Sequence, residues 1–370
     1  MTSKHHIGVF IGRFEPFHTE HARQIDEALK HAELVLVLIG SAYQARSVRN
    51  PFTEKEREQM ILAHYANNPR VHVAFVQDSN YNVSAWIERV YTTVNTWWSK
   101  MRNEFLNNEH PNIALIGHNK DSSSYYLDFF PSWNLISTES THPLSATSVR
   151  EKIFSDATVD FNEKGWAEDF LRQARANATN YLRAANDVPK ATVDFLLRFI
   201  DTKDYDTVAM EFAARAKYRW QWRHAPHTPM FYTGDACVIQ SGHILLVKRD
   251  HYPGKGLWSM PGGFVKEDEV AKTTMLRELK DKTGIKVPPS VISGHIIKDQ
   301  LFEDPHRSSR GRTVTRAFLV DLGTGSLPKI KNSGAQDEAE KVKWVKLSDL
   351  DSSKLFEDHY QIVRNLTQMF

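Results

Sequence analysis

The sequence predicts two unlike domains in one chain: an α/β domain on a parallel sheet, followed by an α+β domain. Three observations carry this. Through about residue 150, apolar runs of strand length (Ile7–Ile11, Leu34–Ile39, Val71–Val76 and Ile113–Gly117) alternate with helical stretches, the pattern of a parallel sheet. From about Glu163 to Tyr218 strand character is missing. Beyond that, alternating and apolar strands (Ala236–Ile239, Ile244–Val247, Ala317–Val320 and Val342–Val345) surround one helical segment, Val270 to Thr283.

A chain of 370 residues is long for a single core and fits two domains with a connector. We expect a first domain over residues 1–188, a helical linker over 189–225 and a second domain over 226–370. Pro189 breaks the helical region, and Ala225-Pro226-His227-Thr228-Pro229 ends it as a stiff segment. The composition, 41% hydrophobic and 25% charged, is that of an ordinary soluble protein. No apolar run is long enough for a bilayer and the N-terminus carries no signal-like apolar core, so a membrane partner is not expected. The formal net charge of +2 does not by itself call for a polyanion. Basic and aromatic residues interleave at Lys217–Arg223, read as part of a linker helix, and no nucleic-acid partner is expected. Cys237, the only cysteine, excludes an internal disulfide framework, is expected inside a strand and fits a cytoplasmic setting. A homo-oligomer remains open.

The first strand leads into Gly12-Arg13-Phe14-Glu15-Pro16-Phe17-His18-Thr19-Glu20-His21. A strand, a glycine-bearing turn and a helix start form an anion site, because free backbone N–H groups and the helix dipole face the ligand. Ligands on parallel sheets bind at the carboxyl ends of the strands, where Gly12, Gly40 and Gly117 fall. His18 and His21 are three apart, so both imidazoles can donate to the oxygens of a reacting phosphate.

These residues resemble the G-R-F-Q-P-F-H-x-G-H motif of the nicotinamide mononucleotide (NMN) adenylyltransferases, archaeal-type branch. The likeness continues through Arg49-Asn50-Pro51-Phe52-Thr53 with Glu56-Arg57, then Gln77–Asn82 with Trp86. It extends to Ile116–Asp121 with Tyr125–Trp133, and to Leu144-Ser145-Ala146-Thr147-Ser148-Val149-Arg150. The resemblance implies a Rossmann-like nucleotidyltransferase fold that makes NAD and pyrophosphate from ATP and NMN with Mg²⁺. On that reading His18, His21 and Arg150 are catalytic. Gly12, Arg13, Phe14, Asn50, Arg57, Asn82, Trp86, Gly117, Asp121, Tyr125, Ser145 and Thr147 bind or frame the substrates. Trp86 would stack on the nicotinamide ring, with a core tryptophan as the alternative. Glu15 stands where the family has Gln and Glu20 where it has Gly. A carboxylate at Glu20 is expected to repel polyphosphate unless Mg²⁺ or an arginine offsets it.

In the second domain Gly263, Glu269, Arg277, Glu278, Gly284 and Ile285 occupy their places in the Nudix pattern G-x5-E-x7-R-E-U-x-E-E-x-G-U. Glu278, Asp281 and Lys282 are i, i+3 and i+4 and share a helix face. In the Nudix fold that face carries carboxylates for a divalent metal. The resemblance makes Glu278 and Glu269 catalytic and Glu278, Asp281 and Glu338 metal ligands, with Mg²⁺ or Mn²⁺ as the ion. Arg307, Arg310 and Arg312 resemble a segment of ADP-ribose-cleaving Nudix domains and would contact substrate. Lys282, however, puts an ammonium where a metal-binding carboxylate belongs. The expected function is therefore bifunctional: NAD synthesis in the first domain and cleavage of ADP-ribose to AMP and ribose 5-phosphate in the second, weakened by Asp281-Lys282. One alternative makes the Nudix domain a nucleotide-binding regulatory module. Another has the first domain transfer AMP or CMP to a different phosphate acceptor.

Overall fold

The structure, a computed structural model, describes residues 5–101, 110–117, 127–138, 145–155, 158–331 and 341–369. It divides into two compact units, Met1–Phe212 and Ala213–Phe370.

The first unit opens with β1 (His5–Gly12), α1 (Thr19–His31), β2 (Ala32–Ile39), α2 (Glu54–His64), β3 (Val71–Phe75), α3 (Val83–Met101), β4 (Ile113–Gly117) and β5 (Asn134–Ser137). The strands are all parallel, in the order β3-β2-β1-β4-β5. Val9 sits beside Leu36 on β2 and Leu115 on β4. The chain leaves β1 toward β2 on one side and returns to β4 on the other, so the crevice beyond Gly12 is the switch point where such sheets take ligands. A sheet covered on both faces needs apolar side chains on both, and β1 and β2 are buried along nearly all their length. Val9, Leu36, Leu38, Leu115 and Phe130 form one core with Val90, Val94 and Trp98 of α3.

Four helices follow: α4 (Ala146–Phe154), α5 (Trp166–Ala184), α6 (Lys190–Phe199) and α7 (Lys203–Gln221). The sequence reading places a linker at 189–225, yet the division of the chain falls inside α7. Residues 189–212 belong to the first unit because their aromatic face is buried in it. Phe52 meets Phe195 and Phe199 at ring-centroid distances of 6.1 and 5.2 Å. Phe154 stacks on Phe212 at 5.2 Å and lies 5.4 Å from Tyr205. The Tyr205 hydroxyl donates to the Ile153 carbonyl at 2.9 Å. Phe154→Ala, which empties the centre of this cluster, is expected to cost about 3–5 kcal/mol, measured as the shift of the first unit's urea transition. A change below about 1 kcal/mol would mean that α6 and α7 close over the gap.

The second unit contains β6 (Met230–Gln240), β7 (His243–Lys248), β8 (Trp258–Ser259), β9 (Gly262–Phe264), α8 (Ala271–Thr283), α9 (Pro289–Gly294), β10 (Ile296–Phe302), β11 (Arg312–Asp321), β12 (Val342–Lys346) and α10 (His359–Thr367). The main sheet runs β10-β11-β6-β7-β12, with β8 on β7 and β9 on β6. β6 and β11 are parallel; the other pairs are antiparallel. Met275 and Leu279 of α8 pack with Ala236, Val238 and Phe318 from the sheet. Cys237 is buried on β6, and burial pushes its thiol up to about 12, which leaves it chemically quiet. Among the described residues no helix is long and apolar enough to cross a membrane.

Candidate functional site

In the first unit β1 delivers the chain into a tight turn that ends on His18, the N-cap of α1. Phe14 adopts φ 57°, a left-handed conformation that a bulky residue takes only when its surroundings hold it there. Its ring stands edge-on to His21 at 4.8 Å, and Phe17 stacks on His21 from another side at 6.0 Å. His18 and His21 themselves stack, with centroids 3.6 Å apart. The His18 backbone N–H donates to His21 Nδ1 at 3.3 Å in a capping-box arrangement. With Nδ1 accepting, neutral His21 carries its proton on Nε2 and presents a donor there. The motif aromatics thus hold an imidazole pair at a helix N-terminus, directly after the central strand.

Arginines surround this pair. Arg13 is half-buried and contacts the Arg49 carbonyl at 3.4 Å and Asn50 Oδ1 at 3.5 Å. Burial first, then the charges of Arg49 and Arg150, lower its guanidinium to about 10. Such crowding of like charge is costly in isolation and is relieved by a polyanion. Arg49 is the contributor that the sequence reading did not assign, although it stands beside Asn50 in the quoted motif. Arg150, 5% exposed, donates to the Glu15 carbonyl at 2.6 Å and to Thr147 Oγ1 at 2.9 Å. It ties the start of α4 to the phosphate turn. Ser145 caps α4 by accepting from the Ser148 N–H at 3.2 Å.

Several of the expected substrate contacts also take part in the scaffold. Arg57 is 1% exposed and gives its donors to the carbonyls of Arg13 (2.8 Å), Gly40 (2.7 Å), Ser41 (3.1 Å) and Thr53 (3.2 Å). It therefore joins the loops after β1 and β2 rather than meeting substrate. Asn50 donates to Gln44 at 2.8 Å, and Asn82 Oδ1 accepts from the Ala85 N–H at 3.0 Å at the start of α3. Gly117 lies within β4, where a Cβ would stand 2.4 Å from Leu127, so a packing contact accounts for it. A Cβ at Gly12 would touch the Phe14 ring at 2.9 Å. Trp86 is partly buried, packs against the core and meets Phe130 edge-on at 5.9 Å. Asp121 and Tyr125 lie outside the described residues.

The two family departures resolve differently. Glu20 is clamped by Arg23 at 2.9 and 2.7 Å and accepts from Gln24 at 3.4 Å. Burial works against its charge, but the Arg23 bonds hold it below the ordinary range, so an arginine of its own helix offsets the expected repulsion. Glu15 is 1% exposed, accepts from the Phe52 N–H at 3.0 Å and pairs with Arg57 Nε at 3.2 Å. Burial raises it to about 7 against the opposing pull of Arg57. A carboxyl raised in the fold stabilises fully below its unfolded pKa, and that contribution is lost as pH rises through about 7. Glu15→Gln keeps an acceptor for Phe52 and removes the penalty. It is expected to stabilise the first unit by about 1–3 kcal/mol near pH 8 and to match the parent below about pH 4.5. Urea unfolding at both pH values checks this; a variant weaker than the parent near pH 8 would show that the Arg57 pair outweighs burial.

In the second unit, β9 and α8 bring Gly263 against Glu278: a Cβ at Gly263 would stand 2.4 Å from Glu278 Cδ. The requirement for glycine here is this close approach. Arg277 then organises the acids. Its Nε and Nη2 take Glu269 at 2.7 and 2.8 Å, and its Nη1 takes Glu278 Oε1 at 2.5 Å. Thr274 adds a bond to Glu269 at 2.7 Å. Hydrogen bonds from Arg277 and Thr274 hold Glu269 down to about 2. Glu269, expected to be catalytic, is engaged here by Arg277 and Thr274. Lys282 Nζ lies 3.3 Å from Glu278 Oε2 and donates to the Gly262 carbonyl.

Among the described residues, these groups as they stand do not make up a divalent-metal site. Glu278 and Glu269 are met by Arg277 and Lys282, so local charge is balanced. Among the described residues no cluster of three or more His, Cys, Asp or Glu could hold a metal ion. Asp281 is exposed, and Glu338 lies outside the described residues.

The three arginines of the expected substrate segment also separate. Arg307, 2% exposed in its side chain, forms a bidentate pair with Asp358 at 2.9 Å on both arms and is not open to a ligand. Arg312 donates to the Glu303 carbonyl. Arg310 lies over the exposed ring of Phe264 at 5.3 Å and near Glu357 at 3.6 Å. Two groups that the sequence did not reveal complete the region. His359 is buried and accepts from the Met260 N–H at 3.1 Å. Its burial, with Arg307, Arg249, Arg310 and Lys282 nearby, keeps it well below the usual range and neutral. Asp235 is buried beside Gly262 and bonded to Thr315; burial raises it.

Comparison with known proteins assigns the two halves separately. The Cytidylyltransferase-like family matches residues 9–152 and the NUDIX domain family residues 231–366. A nicotinamide/nicotinic acid mononucleotide adenylyltransferase of Acinetobacter baylyi is 31% identical over 209 residues, 56% of this chain and 93% of that protein. An ADP-ribose pyrophosphatase of Methanocaldococcus jannaschii is 30% identical over 131 residues, 35% of this chain and 69% of that protein. The crystal structure of a Francisella tularensis bifunctional NMN adenylyltransferase/ADP ribose pyrophosphatase, complexed with AMP and a Mn ion, matches with a TM-score of 0.81 at 32% identity. It covers 98% of this chain and 99% of its own.

Proposed function

The chain belongs to the bifunctional NMN adenylyltransferase/ADP-ribose pyrophosphatase family, and from that premise we propose how its two sites work. In the first unit an NMN phosphate oxygen attacks the α-phosphorus of ATP, supplied as its Mg²⁺ complex. The bond to the bridging oxygen of the β-phosphate breaks, NAD forms and pyrophosphate leaves. No protein nucleophile is needed, so the work is positioning and charge stabilisation. The observation that carries this is the stacked pair His18–His21 at the N-terminus of α1, at the switch point of the sheet. His18 and His21 donate to the α-phosphate, and Arg13, Arg49 and Arg150 meet the outer phosphates. Purified protein with NMN, ATP and Mg²⁺ should give NAD and pyrophosphate in equal amounts by chromatography; absence of NAD would sink the assignment.

In the second unit the substrate is ADP-ribose, and Arg310 beside Phe264 is the side chain best placed to meet it. Hydrolysis to AMP and ribose 5-phosphate is slow, because Lys282 occupies the acidic face. The Lys282–Glu278 pair equally supports a second reading, in which the domain binds the nucleotide and regulates rather than cleaves. The same chromatography with ADP-ribose and Mg²⁺ or Mn²⁺ separates the two. A cytoplasmic setting accords with nucleotide substrates and with the single, buried Cys237.

A further inference from the structure

We infer that the Lys282 ammonium is the resident cation of the second unit's site, and that this site holds the diphosphate of a nucleotide sugar without a divalent metal. The inference rests on the reading that the domain takes ADP-ribose. Lys282 Nζ bridges two oxygens that come from different elements: the Gly262 carbonyl on β9 and Glu278 Oε2 on α8. A simple exposed ion pair along a helix would involve only the second. The backbone contact draws the ammonium into the site, close enough for its charge to bear on both Asp235 and His359.

That position excludes a metal at the same oxygens. Mg²⁺ requires oxygen ligands at roughly 2.0–2.1 Å in near-octahedral array. Here Glu278 Oε1 is held by Arg277 and both oxygens of Glu269 are engaged by Arg277 and Thr274. Among the described residues a divalent ion would have to displace Lys282 and then take oxygens of Glu278 and Glu269 that already carry partners.

The same arrangement suits an anion. An ammonium has three donors, and Gly262 and Glu278 account for two. With 43% of the Lys282 side chain exposed, a phosphate oxygen can reach the third. Arg249 and Arg310, which with Lys282 bear on the neutral His359, bring further guanidinium groups near the ammonium. A tethered ammonium thus supplies the charge contact that a bound metal would make, but it does not activate water as a metal does. Recognition is retained while the means of cleavage is weakened.

Titration calorimetry of the full chain with ADP-ribose tests this, in Mn²⁺ and again in excess EDTA. The parent is expected to bind with the same Kd, within about twofold, in both. In EDTA, Lys282→Met should weaken binding roughly ten- to a hundredfold, the loss of one charge-assisted contact. Lys282→Arg, which keeps a cation on the same stem, should recover most of it and shows that the Met variant is not merely misfolded. Binding by the parent that disappears in EDTA overturns the inference while leaving the ADP-ribose reading intact. Equal binding by parent and Lys282→Met in EDTA also overturns it. No binding in either condition removes the ADP-ribose reading itself, and the inference with it.

Discussion

His21→Ala is expected to lower NAD formation by roughly a hundredfold or more, with little change in NMN affinity. Removing one preorganised donor to a transition-state oxygen commonly has that effect on turnover. The geometry makes the loss specific. His21 Nδ1 is occupied by the His18 backbone N–H, which leaves Nε2 as the donor, and Phe14 and Phe17 hold the ring. Because Nδ1 also caps α1, alanine removes a helix cap worth about 1 kcal/mol, so stability must be measured beside activity. His21→Asn keeps a short side-chain acceptor for the cap and loses the ring donor. If Asn restores stability without restoring turnover, the deficit lies in the chemistry. Equal NAD formation by His21→Ala and the parent would remove the imidazole pair from the mechanism.

How much of this was legible beforehand follows from what each kind of signal depends on. β1, β2 and β4 read as apolar runs because a parallel sheet covered on both faces demands them. β5 carries no such run, because three of its four residues are exposed. β10 carries none either, since it alternates between half-buried and exposed positions along most of its length. The imidazole pair was readable because Gly12-Arg13-Phe14-Glu15-Pro16-Phe17 follows a buried strand directly and the spacing then puts His18 and His21 on one side of a helix start. Partnerships were not readable. Arg57 and Arg13 look alike in sequence, yet the Arg57 guanidinium is used up on four backbone carbonyls. Arg307 is neutralised by Asp358, 51 positions away. Lys282 leans on the Gly262 carbonyl, and a backbone atom leaves no mark in residue type. Residue identity reports what a side chain can do; the fold decides whether it is already engaged.

The second large effect is a gain. Asp281→Glu with Lys282→Glu is expected to create Mg²⁺-dependent cleavage of ADP-ribose, at least about tenfold above the parent. The reasoning is electrostatic and geometric together. Lys282 now neutralises Glu278 Oε2 and fills the space beside the Gly262 carbonyl. Its replacement by Glu changes the local charge by two units and frees both oxygens. Glu at 281 and 282 would then lie i+3 and i+4 from Glu278 on one face of α8. Glu269 need not move, since its bonds to Arg277 and Thr274 hold Arg277 rather than a metal. The exposed positions of both altered residues make misfolding a poor explanation for any failure. Product chromatography in Mg²⁺, with EDTA as control, reads the outcome. Fast metal-dependent hydrolysis by the unaltered protein would contradict the argument, because it would mean that Lys282 swings away and Glu278 recruits ligands elsewhere. A double variant that binds Mn²⁺ but does not cleave would place the missing element in the groups that position water, and would leave the displaced-cation account of Lys282 standing.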